Sequence, residues 1–320
     1  MADSGDALSA AETRTAGRRR SDRIVGASRA TERALDQAAA AARSELPVVV
    51  TGPSGSGRRF IARAIHSWSA RSAGPLVTLS CVAVNSALQA REIFGTSAGA
   101  HAPAPAEHIG ALTRAAGGTL HLTDIEGLAP EARVALRSAL VDGSFRREGD
   151  GTEQPLRARL IGSAEEWPEA GPFAQLPCHE VRLAPLSERP EDVLPLAAHF
   201  LALFASELGV QATGFTAEAR DALLAESWQG NVRELRERIR QAVQLSGGGA
   251  VTHEALALAA EDGEPPSFKD AKRAFETRYV EGMLRRCGGN ISRAARLAKK
   301  DRKDFYDVIR RTGVDPSRFR

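Results

Sequence analysis

Residues Pro47–Phe60, PVVVTGPSGSGRRF, decide how the chain is read. Val48, Val49 and Val50 are branched at Cβ, which restricts χ1 and favours a pleated, extended strand. A glycine-rich turn follows, and the next stretch, RRFIARAIHSW, carries Phe60, Ile61, Ala64 and Ile65 at helical spacing. Strand, tight turn and helix together close backbone N–H groups around an anion and add the positive end of a helix dipole. Gly52-Pro53-Ser54-Gly55-Ser56-Gly57-Arg58-Arg59 fits the phosphate-loop pattern G-x-x-x-x-G-K-[ST] at every position except the last two. Arg58 stands in place of the lysine and Arg59 in place of the hydroxyl. Arginine keeps the charge but exchanges a compact ammonium for a planar fork. On this stretch alone two readings are open: a nucleotide-phosphate site, or a glycine turn that merely joins strand to helix.

The wider composition bounds the answer. The chain has 320 residues, 42% hydrophobic and 26% charged, enough to bury a real core in two or three domains. Aromatics are 5%, and plentiful alanine favours helices. No apolar run has the length of a membrane span, and the first residues lack the apolar core of a signal peptide. Cys81, Cys178 and Cys287 are odd in number and far apart, so neither a disulfide framework nor a metal site is expected. A cytoplasmic protein that does not meet membranes is the expectation. The net charge of +3 conceals an asymmetry: residues 267–320 hold sixteen Lys/Arg against seven Asp/Glu, a net of +9, which leaves −6 for the rest. A basic end on a mildly acidic body is the footprint of nucleic-acid binding, although a solvated, salt-bridged helical face has the same composition.

Taken in order, residues 1–22 are polar and carry Arg18-Arg19-Arg20, which predicts a disordered arm. Helix is predicted over 28–43, strand over 76–80, and a proline-bearing loop over 95–108. Strands follow over 119–122, 158–163 and 180–183, with a helix over 129–141 and a hairpin over 142–160 between them. Alternating strands and helices predict a parallel sheet covered on both faces. After Pro190 the signals are purely helical, over 190–208, 216–227 and 231–245. A linker at 261–267 is stiffened by Pro265-Pro266, and helices are predicted over 268–286, 291–298 and 302–312.

The assembled motifs resemble one family, the sigma-54-dependent transcriptional activators, which join an AAA+ ATPase to a Fis-type helix-turn-helix. The resemblance rests on IVGAS at 24–28, the phosphate loop, REIFG at 91–95, and GGTLHLTDIEGL at 117–128. It continues through LVDGSFRREG at 140–149, PLSERPEDV at 185–193, SWQGNVREL at 227–235 and GGNISRAARLA at 288–298. It implies an α/β P-loop AAA+ fold with a parallel sheet covered by helices, a helical lid and an all-α tail. The boundaries would be 1–22 for the arm, 23–188 for the α/β part, 189–260 for the lid, 261–267 for the linker and 268–320 for the tail. It also implies ATP as the nucleotide, with Gly52, Ser54, Gly55, Ser56, Gly57, Arg58, Arg59 and Arg233 around it, Arg233 taking the family's second sensor position.

Several family features are changed. The family's paired Asp-Glu at a strand end, which serves magnesium and the attacking water, is Thr123-Asp124 here. Asp124 is then either the remaining catalytic carboxylate or a strand-end cap, and a Mg2+ site is not favoured. The sigma-contacting GAFTGA loop aligns with Gly99-Ala100-His101-Ala102-Pro103-Ala104. Ala164-Glu165-Glu166 offers no sensor asparagine, and Phe173–Cys178 holds no arginine finger. These changes predict a DNA-binding regulator whose AAA+ part binds ATP, hydrolyses it poorly and does not remodel sigma-54; a working sigma-54 activator with atypical motifs is the alternative. The partners implied are double-stranded DNA, a second copy or higher AAA+ oligomer, and a paralogous activator or RNA polymerase. With no receiver or sensory segment ahead of the AAA+ part, control by a separate partner is expected.

In a helix-turn-helix the first helix crosses the DNA backbone and the second enters the major groove. Residues 291–298 would form the first, with Ala294 and Ala295 small enough for close packing. Residues 302–312 would form the second. The DNA-contacting candidates are Arg293, Lys299, Lys300, Arg302, Lys303, Tyr306, Arg310 and Arg311. Lys299-Lys300 replaces the family's Gly-Ile in the turn. Phe275, Tyr279, Met283 and Leu284 would form a stripe along 268–286 that pairs with its copy.

Overall fold

The computed structural model describes residues 24–97, 107–168, 171–259 and 268–319, without the side chains of 268–275 and 278. The expected arm, the GAHAPA segment and the linker lie outside the described residues. Helix α1 (Arg29–Ala42) leads into β1 (Val48–Thr51), and α2 (Arg58–Trp68) follows the glycine turn. β2 (Leu76–Ser80) and α3 (Ser86–Phe94) come next, then a two-residue antiparallel pair, β3 (Gly95–Thr96) with β4 (His108–Ile109). The segment read as a simple loop over 95–108 is thus closed at its base by strand pairing. A short α4 (Ala111–Arg114) precedes β5 (Thr119–Thr123) and α5 (Pro130–Asp142). The expected hairpin is present as antiparallel β6 (Ser144–Arg146) and β7 (Glu153–Pro155), followed by β8 (Arg159–Ala164) and β9 (His179–Arg182).

The main sheet has five parallel strands in the order β2-β5-β8-β1-β9. Both faces are covered, which is why β1 can be an unbroken valine run. Val48 and Val50 pack with Ile61, Ile65, Ile161 and Val181 under α1 and α2, whereas Val49 joins Leu79, Leu120, Leu122, Leu160 and Phe173 on the other face. All four residues of β1 are buried. Burying each valine contributes roughly 1.5–3 kcal/mol, so the strand that launches the glycine turn is held firmly.

The lid comprises α6 (Val193–Leu208), α7 (Ala217–Ala225), α8 (Asn231–Ser246) and the unanticipated α9 (His253–Leu258) around Phe200, Phe204, Trp228, Leu235 and Ile239. It is not purely helical: β10 (Ala212–Phe215) pairs in parallel with β11 (Gly249–Val251). Gly247, Gly248 and Gly249 all have positive φ and turn the chain back beside β10. Read as a break, this run is the device that makes the pairing, and strands this short show no alternation in sequence.

The tail has α10 (Phe268–Arg286), α11 (Ile291–Leu297) and α12 (Arg302–Thr312), as expected. Val280, Leu284, Ala294, Ala295, Phe305 and Ile309 form its core. This corrects the expected self-pairing stripe: Leu284 is fully buried inside its own chain, Met283 packs against the same cluster, and Tyr279 alone of the described stripe side chains is exposed.

Candidate nucleotide site and basic tail

The glycine turn leaves the carboxyl end of β1, on the sheet edge where ligands of open α/β sheets bind. Gly52, Gly55 and Gly57 have φ of 146°, 78° and 111°, conformations that a side chain strains. At Gly55 a Cβ would meet the Gly230 carbonyl oxygen at 2.2 Å, so glycine there lets the lid touch the loop. Around the place a Gly57 Cβ would take, nothing lies within 4 Å; this flank of the loop is open. A cleft of about 1020 Å³ adjoins it, lined among others by Thr51, Gly52, Asp124, Glu126, Glu165 and Glu180.

Arg58 and Asp124 meet. Arg58 Nη2 donates to Asp124 Oδ1 at 3.0 Å, with the Arg58 side chain only 9% exposed. Asp124 holds a left-handed backbone at φ 55°, strain that an L-residue carries only when its surroundings impose it. Arg58 Nη1 and Ser56 Oγ are buried and have no hydrogen-bond partner among the described residues. Both lie at the N-terminal end of α2, where backbone N–H groups and the helix dipole favour negative charge. Beneath them, His121 on β5 contacts Ser163 Oγ through Nε2 at 2.7 Å. Burial first, and then the Arg59 and Arg58 charges against the opposing pull of Asp124, push His121 down to about 4. Burial, compounded by the Asp124 and Glu126 charges, raises the Cys81 thiol to about 12, which makes it inert as a nucleophile.

The lid is fastened to the loop at four points. Arg233 N donates to the Gly55 carbonyl at 3.2 Å, and its Nη1 lies 3.4 Å from Ser54 Oγ. Asn231 Nδ2 donates to the Ser54 carbonyl at 3.0 Å, and Arg189 Nη2 to the Ser56 carbonyl at 2.9 Å. Arg233 is thus beside the loop, together with Gly52, Ser54, Gly55, Ser56, Gly57, Arg58 and Arg59; Arg59 itself is exposed on the first turn of α2. Sequence reasoning passed over Arg189, Asn231 and Asp192. Asp192 is fully buried and accepts from Ala27 N, Ser28 N, Ser28 Oγ and Thr31 Oγ1 at 2.5–2.8 Å, with Arg189 3.7 Å away. Burial opposes its charge, but these hydrogen bonds outweigh burial and hold its carboxyl below the ordinary value. The available signal was the charged quartet Glu188–Asp192 interrupted by a proline, at a point where apolar helix begins. Glu165, within the Ala164-Glu165-Glu166 stretch that offers no sensor asparagine, donates its backbone N–H to Glu126.

In the tail, Arg293, Lys299, Lys300, Arg302, Lys303, Tyr306, Arg310 and Arg311 are all exposed. Phe305 and Ile309 face inward one turn apart, which turns Arg302, Lys303, Tyr306 and Arg310 outward. Arg311 is engaged: its Nη2 donates to Glu276 Oε1 on α10 at 2.6 Å. Lys299 has φ 51°, so the turn keeps a backbone suited to glycine while carrying lysine.

Fold and loop define the class: a P-loop AAA+ protein with a helical lid. The family is equally plain. Residues 24–171 match the Sigma-54 interaction domain and residues 187–273 the AAA+ ATPase lid domain. The chain is 35% identical over 301 residues to the transcriptional regulatory protein ZraR of Escherichia coli K12, spanning 90% of this chain and 68% of that protein. It is 32% identical over 300 residues to GlrR of the same organism, spanning 90% and 67%. NtrX from Brucella abortus, solved in complex with ATP, superposes with a TM-score of 0.67 at 27% identity over 96% of this chain and 74% of that one. The chain belongs to the sigma-54-dependent transcriptional regulators. Among the described residues no helix is long and apolar enough to cross a membrane.

Proposed function

We propose that this protein is a DNA-binding transcriptional regulator whose AAA+ part binds ATP, hydrolyses it poorly and does not remodel sigma-54. The observation that carries this reading is the Arg58–Asp124 ion pair. A carboxylate engaged by the cation that replaces the phosphate-loop lysine is unsuited to activating water. Thr123 supplies no second carboxylate, and Ala164-Glu165-Glu166 offers no asparagine to orient the nucleophile. Nucleotide binding itself is supported by the open glycine loop, the two orphaned donors, and the ATP complex of the similar NtrX.

The tail supports duplex DNA as partner, through the exposed Arg302, Lys303, Tyr306 and Arg310 on α12 and Arg293, Lys299 and Lys300 beside it. Assembly into a dimer or larger AAA+ oligomer, and contact with a paralogous activator or polymerase, belong to the same proposal, as does a cytoplasmic location. Open-complex formation at a sigma-54 promoter, with purified polymerase and ATP, tests the reading. No open complex is expected; its appearance on adding this protein alone would restore the working activator.

A further inference from the structure

The donor set at the loop does not suit magnesium. In P-loop proteins that ion is held by the Ser/Thr after the lysine and by a strand-end carboxylate. Here the first position is Arg59, a cation, and the second is Thr123, buried at 4% exposure. The carboxylate that remains, Asp124, already has Oδ1 engaged by Arg58. Magnesium at a nucleotide is ordinarily held by one or two protein oxygens together with phosphates and waters, and here both of those protein positions lack a free oxygen donor.

We infer that the loop takes its nucleotide as the free polyphosphate anion, with the Arg58 guanidinium supplying to the phosphate oxygens the positive charge that magnesium supplies in related sites. Arg58 faces two ways: Nη2 is anchored on Asp124, while Nη1 is buried and without a partner. A guanidinium presents donors in a rigid fork, so one edge stays on the carboxylate while the other receives phosphate oxygens. A lysine ammonium has no such second edge. Ser56 Oγ, also buried and unpartnered, adds a neutral donor, and the open flank at Gly57 admits the anion. Arg59 and Arg233, exposed and beside the loop respectively, supply the remaining positive charge that an uncomplexed polyphosphate requires.

This inference rests on the proposal that the loop binds nucleotide, and one experiment separates the two. The full chain is titrated calorimetrically with ATP, once in excess Mg2+ and once in excess EDTA. Binding at least about tenfold tighter in EDTA is expected, because excess Mg2+ sequesters the free anion; equal dissociation constants overturn the inference. Binding that needs Mg2+, weakening tenfold or more in EDTA, overturns the inference and leaves nucleotide binding standing. No binding in either buffer overturns both. Arg58→Ala in EDTA checks the named residue: at least about a tenfold loss is expected, since a charge-assisted hydrogen bond is removed. Retained affinity in a variant whose circular dichroism and melting are those of the parent assigns the anion to other donors and refutes the role given to Arg58.

Discussion

Asn231 Nδ2 donates to the Ser54 carbonyl at 3.0 Å while its Oδ1 accepts from Leu186 N at 2.8 Å, so one side chain ties the first turn of a lid helix to the phosphate loop. It does so from a left-handed backbone at φ 56°, next to Trp228 at φ 50°, where glycine would be the relaxed choice. Loop and lid are therefore one piece of structure around the nucleotide cleft, and several consequences can be measured.

Gly55→Ala should damage both. Its Cβ would lie 2.2 Å from the Gly230 carbonyl at φ 78°, and neither backbone can give way without moving the lid. A loss of at least about 2 kcal/mol is expected in denaturant unfolding, with weakened ATP binding. Unchanged stability would mean that lid and loop are not in contact.

Asp192→Ala should be among the most destabilising single changes, at about 3–5 kcal/mol, because it strands Arg189 and four donors in the interior. The wild-type carboxyl is held below its ordinary value of 3.8. Its contribution is thus fully present above that value and lost as pH falls through the folded one. An acid-unfolding midpoint that Asp192→Asn leaves unmoved would contradict this.

His121 titrates near 4 in the fold against 6.5 in an unfolded chain. The fold prefers the neutral ring, so stability is full above pH 6.5 and declines as pH drops toward 4, by on the order of 3 kcal/mol. His66, lowered mainly by burial, acts in the same direction. Urea midpoints at pH 7.5 and 4.5 should differ less in His121→Phe than in wild type; equal differences would show that His121 is not a source of the slope.

Lys299→Gly should stabilise the tail by under about 1 kcal/mol, the relief of a left-handed lysine less the greater freedom of unfolded glycine. A lower melting temperature would argue against the turn geometry.

On DNA, Arg310→Ala should weaken binding across sequences and reduce the slope of log affinity against log salt by about 1. Arg311→Ala should cost less, because its guanidinium is already held by Glu276. Equal losses would mean that the Arg311–Glu276 pair opens on DNA. Arg302→Ala should relax preference for the specific site.

Much of the α/β part was readable in the sequence because its signals are local. The valine run, the glycine turn and the alternation of strand with helix each name one element, and the helix 58–68 and the tail helix 302–312 occur where periodicity put them. What escaped depends on distant partners. β10 and β11 are too short to alternate, and they exist because Gly247–Gly249 fold back. Asp192 meets Ser28 and Thr31 from more than 160 residues away. The site was legible as a list of residues but not as an arrangement: Arg58 and Asp124 lie 66 positions apart, and only the sheet order, with β8 between β5 and β1, brings them together. Leu284 shows the opposite failure, a helical stripe whose period fitted an outside partner as well as the inside one it has.

The central claim is that the Arg58–Asp124 site holds ATP without turning it over. Its most direct test is calorimetric titration of the full chain with ATP, with phosphate release then followed on the same sample after Mg2+ is added. The account predicts saturable binding and no release above the protein-free rate. Sustained release in proportion to protein concentration, abolished by Asp124→Asn, would contradict it.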